Sequence, residues 1–234
     1  MGYNFYDSAQ TEQRQNISQF TAKTFMWMFI GLLATFVSAF AVTYVPSVFM
    51  FINATPYGIW GLAIAQIVLV FVLSLSIGKM KPGTATMLFF IYSVVNGCVL
   101  SGIFMVYNLS SIIYSFLAAA GIFGAMALFG YFTKKDLTKW GSILMFALIG
   151  CLIYSAIGML FGIGRNGILY GLLMIVIFMG LTAFDMQRLK TYYYTFDGDE
   201  AMLHKCSIIC ALQLYLDFIN IFLRILSLTG RRRN

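Results

Sequence analysis

Seven long apolar runs alternate with short polar stretches along this chain, at about 24–46, 58–78, 84–107, 111–132, 140–162, 167–188 and 206–228. Each holds roughly the 20 residues that an α-helix needs to cross about 30 Å of hydrocarbon. The pattern predicts an all-α polytopic membrane protein with seven transmembrane helices. Residues 1–23 read as a polar cytoplasmic lead-in, 24–228 as the transmembrane domain and 229–234 as a basic tail. The longest connection, TYYYTFDGDEAMLHK at 191–205, joins the sixth and seventh runs. Within it, Tyr192, Tyr193 and Tyr194 are expected to mark the cytoplasmic headgroup level. The pairs Gly158/Gly162 and Gly167/Gly171 have GxxxG spacing, which permits close helix approach.

The seventh run departs from the others. Cys210, Gln213, Asp217, Asn220 and Arg224 follow one another at steps of three and four residues. On a helix that spacing puts them all on one face, a polar stripe about 21 Å long at 1.5 Å per residue. An ionised Asp near the bilayer centre costs several kcal/mol, so such a residue faces the protein interior and has a partner. The other acid inside an apolar run is Asp185, at the end of the sixth.

Composition agrees with the pattern. The chain is 61% hydrophobic and 10% charged, with a mean hydropathy of +0.86. The formal charge of +7 does not signal nucleic-acid binding, because the basic residues fall in short loops where Lys and Arg set topology. Arg14, Lys23, Lys79, Lys81, Lys134, Lys135, Lys139, Arg188, Lys190 and Lys205 make ten on one side, against Arg165 alone on the other. The positive-inside rule therefore predicts a cytoplasmic N-terminus. Seven full crossings leave Arg231, Arg232 and Arg233 outside, against the rule, whereas a re-entrant seventh segment would keep them inside. Early loops usually dominate orientation, so seven crossings are expected. No cleavable signal peptide is expected, since Asp7 and Glu12 lie in the lead-in and the first run is too long for an h-region. Tyr6 stands where N-myristoylation requires Ser or Thr. Cys98, Cys151, Cys206 and Cys210 lie in or beside apolar runs and read as buried packing rather than disulfides. His204 with Cys206 and Cys210 is too sparse a set for a zinc site.

Two carboxyl groups held close together cannot both ionise cheaply, so a pair screened from water tends to share one proton. Half protonated, it forms a strong hydrogen bond; fully ionised, it repels itself or takes up a cation. Hard cations such as Ca²⁺ are ligated by carboxylate, carbonyl and amide oxygens. Asp185, Asp217, Gln213, Asn220, Gln66 and Asn96 carry only such groups. The competing structural reading neutralises each acid locally: Arg188 is one turn from Asp185 and Arg224 two turns from Asp217. Gln66, Ser74, Ser93, Asn96, Ser101 and Ser155 otherwise serve as helix-to-helix hydrogen bonders, with Gln66 and Asn96 the best candidates to line a shared cavity.

ALQLYLDFINIFLRIL at 211–226 resembles the C-terminal motif of the Bax inhibitor-1 family, the transmembrane Bax inhibitor motif proteins. AFDMQRLK at 183–190 resembles that family's motif at the end of its sixth helix, and KMKPGTATMLFFIYSVVNG and the seven-run layout agree with it. The resemblance covers nearly the whole chain, and the short form points to a bacterial-type member in the inner (plasma) membrane. It implies a central seventh helix surrounded by the other six. It further implies a pH-sensitive Ca²⁺ leak gated by two aspartates, which carry over to Asp185 and Asp217 as gating groups and transient Ca²⁺ ligands. Two positions depart from related bacterial sequences: Gln66 stands where a Glu is expected, and Ile77 where a basic residue can bridge to the acids, with Lys79 and Lys81 nearby.

The expected function is a proton-gated Ca²⁺ leak, with the bilayer, Ca²⁺ and protons as partners, no cofactor and no catalysis. A proton-coupled cation exchanger shares most of these features. A different class of alternative is a membrane protein that restrains a protease or acts in a cell-death or stress pathway. An intramembrane aspartyl protease also places one Asp on each of two neighbouring helices. Its Gly-x-Gly-Asp flank is missing here, because Tyr215 and Leu216 precede Asp217.

Overall fold

The structure, a computed structural model, describes residues 3–54, 56–161 and 167–233. Gly162 and Arg165 lie outside these. Nine helices occur among the described residues: α1 (Tyr3–Thr43), α2 (Pro46–Ala54), α3 (Pro56–Ser76), α4 (Pro82–Leu100), α5 (Ile103–Val106), α6 (Leu109–Phe132), α7 (Thr138–Phe161), α8 (Ile168–Thr195) and α9 (Glu200–Thr229). Seven of them, including α4 and α5 taken as one, are long and apolar enough to cross a membrane. Their outer faces carry exposed Phe71, Leu75, Leu117, Phe146 and Leu169. Large apolar side chains in that position are suited to lipid, and a helix satisfies its own backbone there.

The helices extend further than the apolar runs. The polar lead-in from Tyr3 onward is helical and continuous with the first crossing. Helix α8 continues ten residues past Asp185, and α9 begins at Glu200. The 15-residue polar connection expected between the last two runs thus shrinks to 196–199, turned by Gly198 at φ 91°. Hydropathy falls there because the helices leave the hydrocarbon, whereas their backbone hydrogen bonding does not stop. Within that helical stretch Tyr193 packs inside, 3% exposed and 5.6 Å from the Phe20 ring, while Tyr194 is exposed.

Helix α9 is 30 residues and unbroken, about 45 Å at 1.5 Å per residue. A segment that dips in and returns would need a break in it. Its apolar window is 78% buried, against 11–39% in the other six spans. Ile208, Leu212, Leu214, Tyr215, Ile221 and Leu226 are each almost fully buried. The half-buried residues Gln213, Leu216, Asn220, Leu223 and Arg224 share one face at steps of three and four, and the rest of the helix circumference is packed against protein.

The chain divides into two compact units. In the first, residues 1–102 with 189–212, small residues bring α1 against α4. A Cβ on Gly31 would strike the Phe89 ring, and one on Gly97 would meet Thr35 and Ser38. Thr35 Oγ1 donates to Ser93 O across that contact at 2.9 Å. The first half of α9 is tied in by Thr24 Oγ1 donating to Ser207 Oγ at 3.1 Å. In the second unit, residues 103–188 with 213–234, Gly130 of α6 backs onto Ala183 of α8. Gly171 of α8 lies against Leu228 of α9. Phe116 and Phe123 of α6 pack edge-on against Phe218 of α9, with ring centroids 5.1 and 5.7 Å apart. Gln187 secures the α6–α7 loop, donating to Lys135 O at 2.7 Å and accepting from the Leu137 N–H at 2.8 Å.

Candidate functional site

Both intramembrane acids fall in the second unit, on adjacent stretches of α8 and α9. Asp185 is 9% exposed and Asp217 4% exposed. The Asp185 carboxyl acts electrostatically on Asp217, and Arg188, one turn along α8, acts on Asp185. Neither acid ends its helix: Asp185 has ten helical residues beyond it and Asp217 twelve. The apolar run at 167–188 stops near Asp185 for reasons of polarity, so position within the run misplaces it towards a helix end.

A third group belongs here that the polar pattern left out. Thr182 of α8 is fully buried, and its hydroxyl faces the Asp217 carboxyl. Thr182 Oγ1 also donates to Phe178 O at 2.8 Å. A hydroxyl has one hydrogen and two lone pairs. While that hydrogen goes to Phe178, the Thr182 oxygen can only accept from Asp217, which requires a protonated acid. An ionised Asp217 competes for the same hydrogen. Thr182 can therefore couple the protonation of Asp217 to the α8 backbone. Its spacing, three residues before Asp185, was the available signal.

Asp217 Oδ2 and Gln213 Oε1 are buried with no hydrogen-bond partner among the described residues. They are four residues apart, on successive turns of one helix face. A buried acceptor without a donor is costly to leave unmade. Two of them together call for a proton, a water or a cation. Carboxylate and amide oxygens form the donor set that Ca²⁺ takes, although a full Ca²⁺ shell needs six to eight oxygens. The fit to a transient ion is better than to a resident one.

The other residues singled out by sequence go elsewhere. Asn220 Nδ2 donates to Leu216 O of its own helix at 2.8 Å. Arg224 lies over the Tyr170 ring, 5.2 Å from its centroid, a cation–π contact two turns from Asp217. In the first unit, Gln66 Nε2 donates to Asn96 Oδ1 at 2.8 Å, joining α3 to α4. Lys79 is exposed in the turn after α3. The buried cation near that turn is Lys205 of α9, whose Nζ donates to Gly78 O at 3.2 Å. His204 also has a structural partner, with its Nε2 3.0 Å from Thr86 Oγ1.

The family described as "Inhibitor of apoptosis-promoting Bax1" matches residues 17–234. The inner membrane protein YbhL of Escherichia coli K12 is 40% identical over 225 residues, covering 95% of each chain. An uncharacterized protein of Borreliella burgdorferi is 37% identical over 227 residues, covering 96% of this chain and 98% of its own. An uncharacterized membrane protein of Streptococcus pyogenes serotype M1 is 33% identical over 223 residues, covering 94% and 96%.

Proposed function

This chain belongs to the Bax inhibitor-1 family, and on that premise we propose that it is a pH-sensitive Ca²⁺ leak channel of a bacterial inner membrane, with its N-terminus in the cytoplasm. One observation carries the reading. Two acids are buried on α8 and α9, the Asp185 carboxyl bears on Asp217, and one carboxylate oxygen of Asp217 has no protein donor among the described residues. An isolated charge at that depth would be expelled or neutralised, so the arrangement supports a shared proton that can be exchanged for a cation. With one proton held, the pair is a closed latch between α8 and α9. With none, the two carboxylates repel, and the vacant acceptors of Asp217 and Gln213 lie along the route a cation would take. The family membership supports a membrane transport role over catalysis, and the inner-membrane relative supports the location. Asn220, one turn beyond Asp217 on α9, is a further residue of the path on this reading.

The test is Ca²⁺ flux into liposomes containing the purified protein, followed across pH. The wild type should leak, and less so on acidification. Asp217→Asn should lose conduction, because it removes the charge on the path. Asp185→Asn should keep a leak that no longer closes in acid, because the shared proton needs both carboxyls. Normal pH-dependent flux in both variants would refute the latch. A wild type that carries no Ca²⁺ would favour the interaction-protein reading, and flux that depends on a counter-ion would favour exchange.

A further inference from the structure

The chain beyond α9 is held in place. The Asn108 N–H donates to Arg231 O at 3.2 Å and the Arg233 N–H to Val106 O at 2.9 Å. Tyr107 and Arg232 form an antiparallel bridge between them. The Arg231 N–H donates to Ser111 Oγ at 3.1 Å. This strap fixes the backbone of 231–233 and leaves the three arginine side chains exposed. Two independent features set its depth. It follows Thr229, the last residue of a membrane-length helix, and it pairs with the two-residue turn between α5 and α6, where the chain reverses at the membrane face. A helix about 45 Å long reaches from one headgroup layer to the other, so the guanidinium groups lie among lipid phosphates.

The acids of this unit are Asp136, Asp185 and Asp217. Asp217 is 14 residues back along α9 from Arg231, about 21 Å, and Asp136 follows the far end of α6. No acid occurs in 103–114 or in 218–233. Arg224 is also taken up, on the Tyr170 ring. Among the described residues of their unit, the three exposed guanidinium groups of this strap thus have no nearby acidic side chain. Guanidinium forks bind phosphate oxygens in pairs.

We propose that the 231–233 strap is a binding site for the phosphodiester of an anionic phospholipid in the leaflet where α9 ends. That lipid supplies the counter-charge for three arginines on the face where the basic-loop pattern disfavours them. The site is independent of the leak reading.

The full chain is purified in detergent and offered equal amounts of phosphatidylglycerol and phosphatidylcholine, and retained lipid is counted by native mass spectrometry. Each arginine at an anionic lipid surface contributes roughly fivefold. The wild type should retain phosphatidylglycerol at least about tenfold over phosphatidylcholine, and R231Q/R232Q/R233Q should lose that preference. R231K/R232K/R233K should keep most of it. K134Q/K135Q/K139Q removes three charges at the α6–α7 loop and should leave it unchanged. If the triple glutamine variant is unstable, R231Q, R232Q and R233Q singly should each lose part of the preference. A wild type that does not discriminate, arginine variants that discriminate equally well, or a lysine-loop variant that loses as much would each overturn the proposal.

Discussion

Gly130 offers the sharpest test of how α8 is seated beside the acid pair. A Cβ built there lies 2.7 Å from Ala183 Cα and 2.8 Å from Ala183 C, and also against Ala183 O. All three are backbone atoms, which cannot swing aside as a side-chain end could. In Gly130→Ala the methyl must therefore push α8 away from α6, an overpacking worth about 1 to 3 kcal/mol. Alanine also favours helix over glycine by about 0.5 to 1 kcal/mol, which masks part of the loss. Gly124→Ala, on the same helix, removes that ambiguity, because nothing lies within 4 Å of its Cβ. Subtracting the two variants cancels the propensity gain and leaves the overpacking alone. At roughly 2 to 4 °C per kcal/mol, thermal unfolding in detergent should place Gly130→Ala several degrees below Gly124→Ala. Ala183 neighbours Thr182 and is two residues from Asp185, so a shifted α8 should also move the pH midpoint of the leak in Gly130→Ala only. Equal melting temperatures in the two variants would refute the close α6–α8 contact. A lower temperature with an unmoved midpoint would separate that contact from the acid pair.

Gln66→Glu places a carboxylate beside Asn96, whose amide can turn to donate to it, and should strengthen Ca²⁺ binding or flux; unchanged flux and affinity would put Gln66 off the path. A reporter fused after Lys135 should read cytoplasm, and one after Arg233 the opposite side. A cytoplasmic Arg233 would contradict the continuous seventh crossing. Asp136, in the α6–α7 loop, is held below the ordinary carboxylate range by hydrogen bonds from the Thr138 side chain and then from its backbone N–H, at 2.9 Å to Oδ1. A depressed folded pKa stabilises the fold above the unfolded value and ceases to do so as pH falls through the folded one. Asp136→Ala should accordingly unfold more readily than the parent at neutral pH and equally readily in acid. A difference that persists below the folded pKa would rule that origin out.

Much of this protein could be read from one dimension. The spans could, because a helix crossing hydrocarbon must be apolar for about 20 residues, and that demand is written locally into 24–46 or 111–132. The prominence of Asp185 and Asp217 could too, since an acid at that depth is expensive wherever its helix packs. Helix ends could not be read in the same way: Tyr192–Thr195 and Glu200–Lys205 are polar yet helical, because hydropathy reports the solvent and not the hydrogen-bonded backbone. Partners were the larger gap. Arg224 could have neutralised Asp217 by spacing and instead lies on Tyr170, 54 residues away in sequence. Thr182 reads as an ordinary helical threonine until α9 brings Asp217 against it. Lys205 reads as a loop cation until the turn at Gly78 accepts its hydrogen bond. The pairing of the α9 tail with Tyr107 was likewise a matter of tertiary structure. Periodicity places a residue on a face of its own helix; which face meets it depends on how separate helices pack, and that is decided by contacts between residues far apart in the chain.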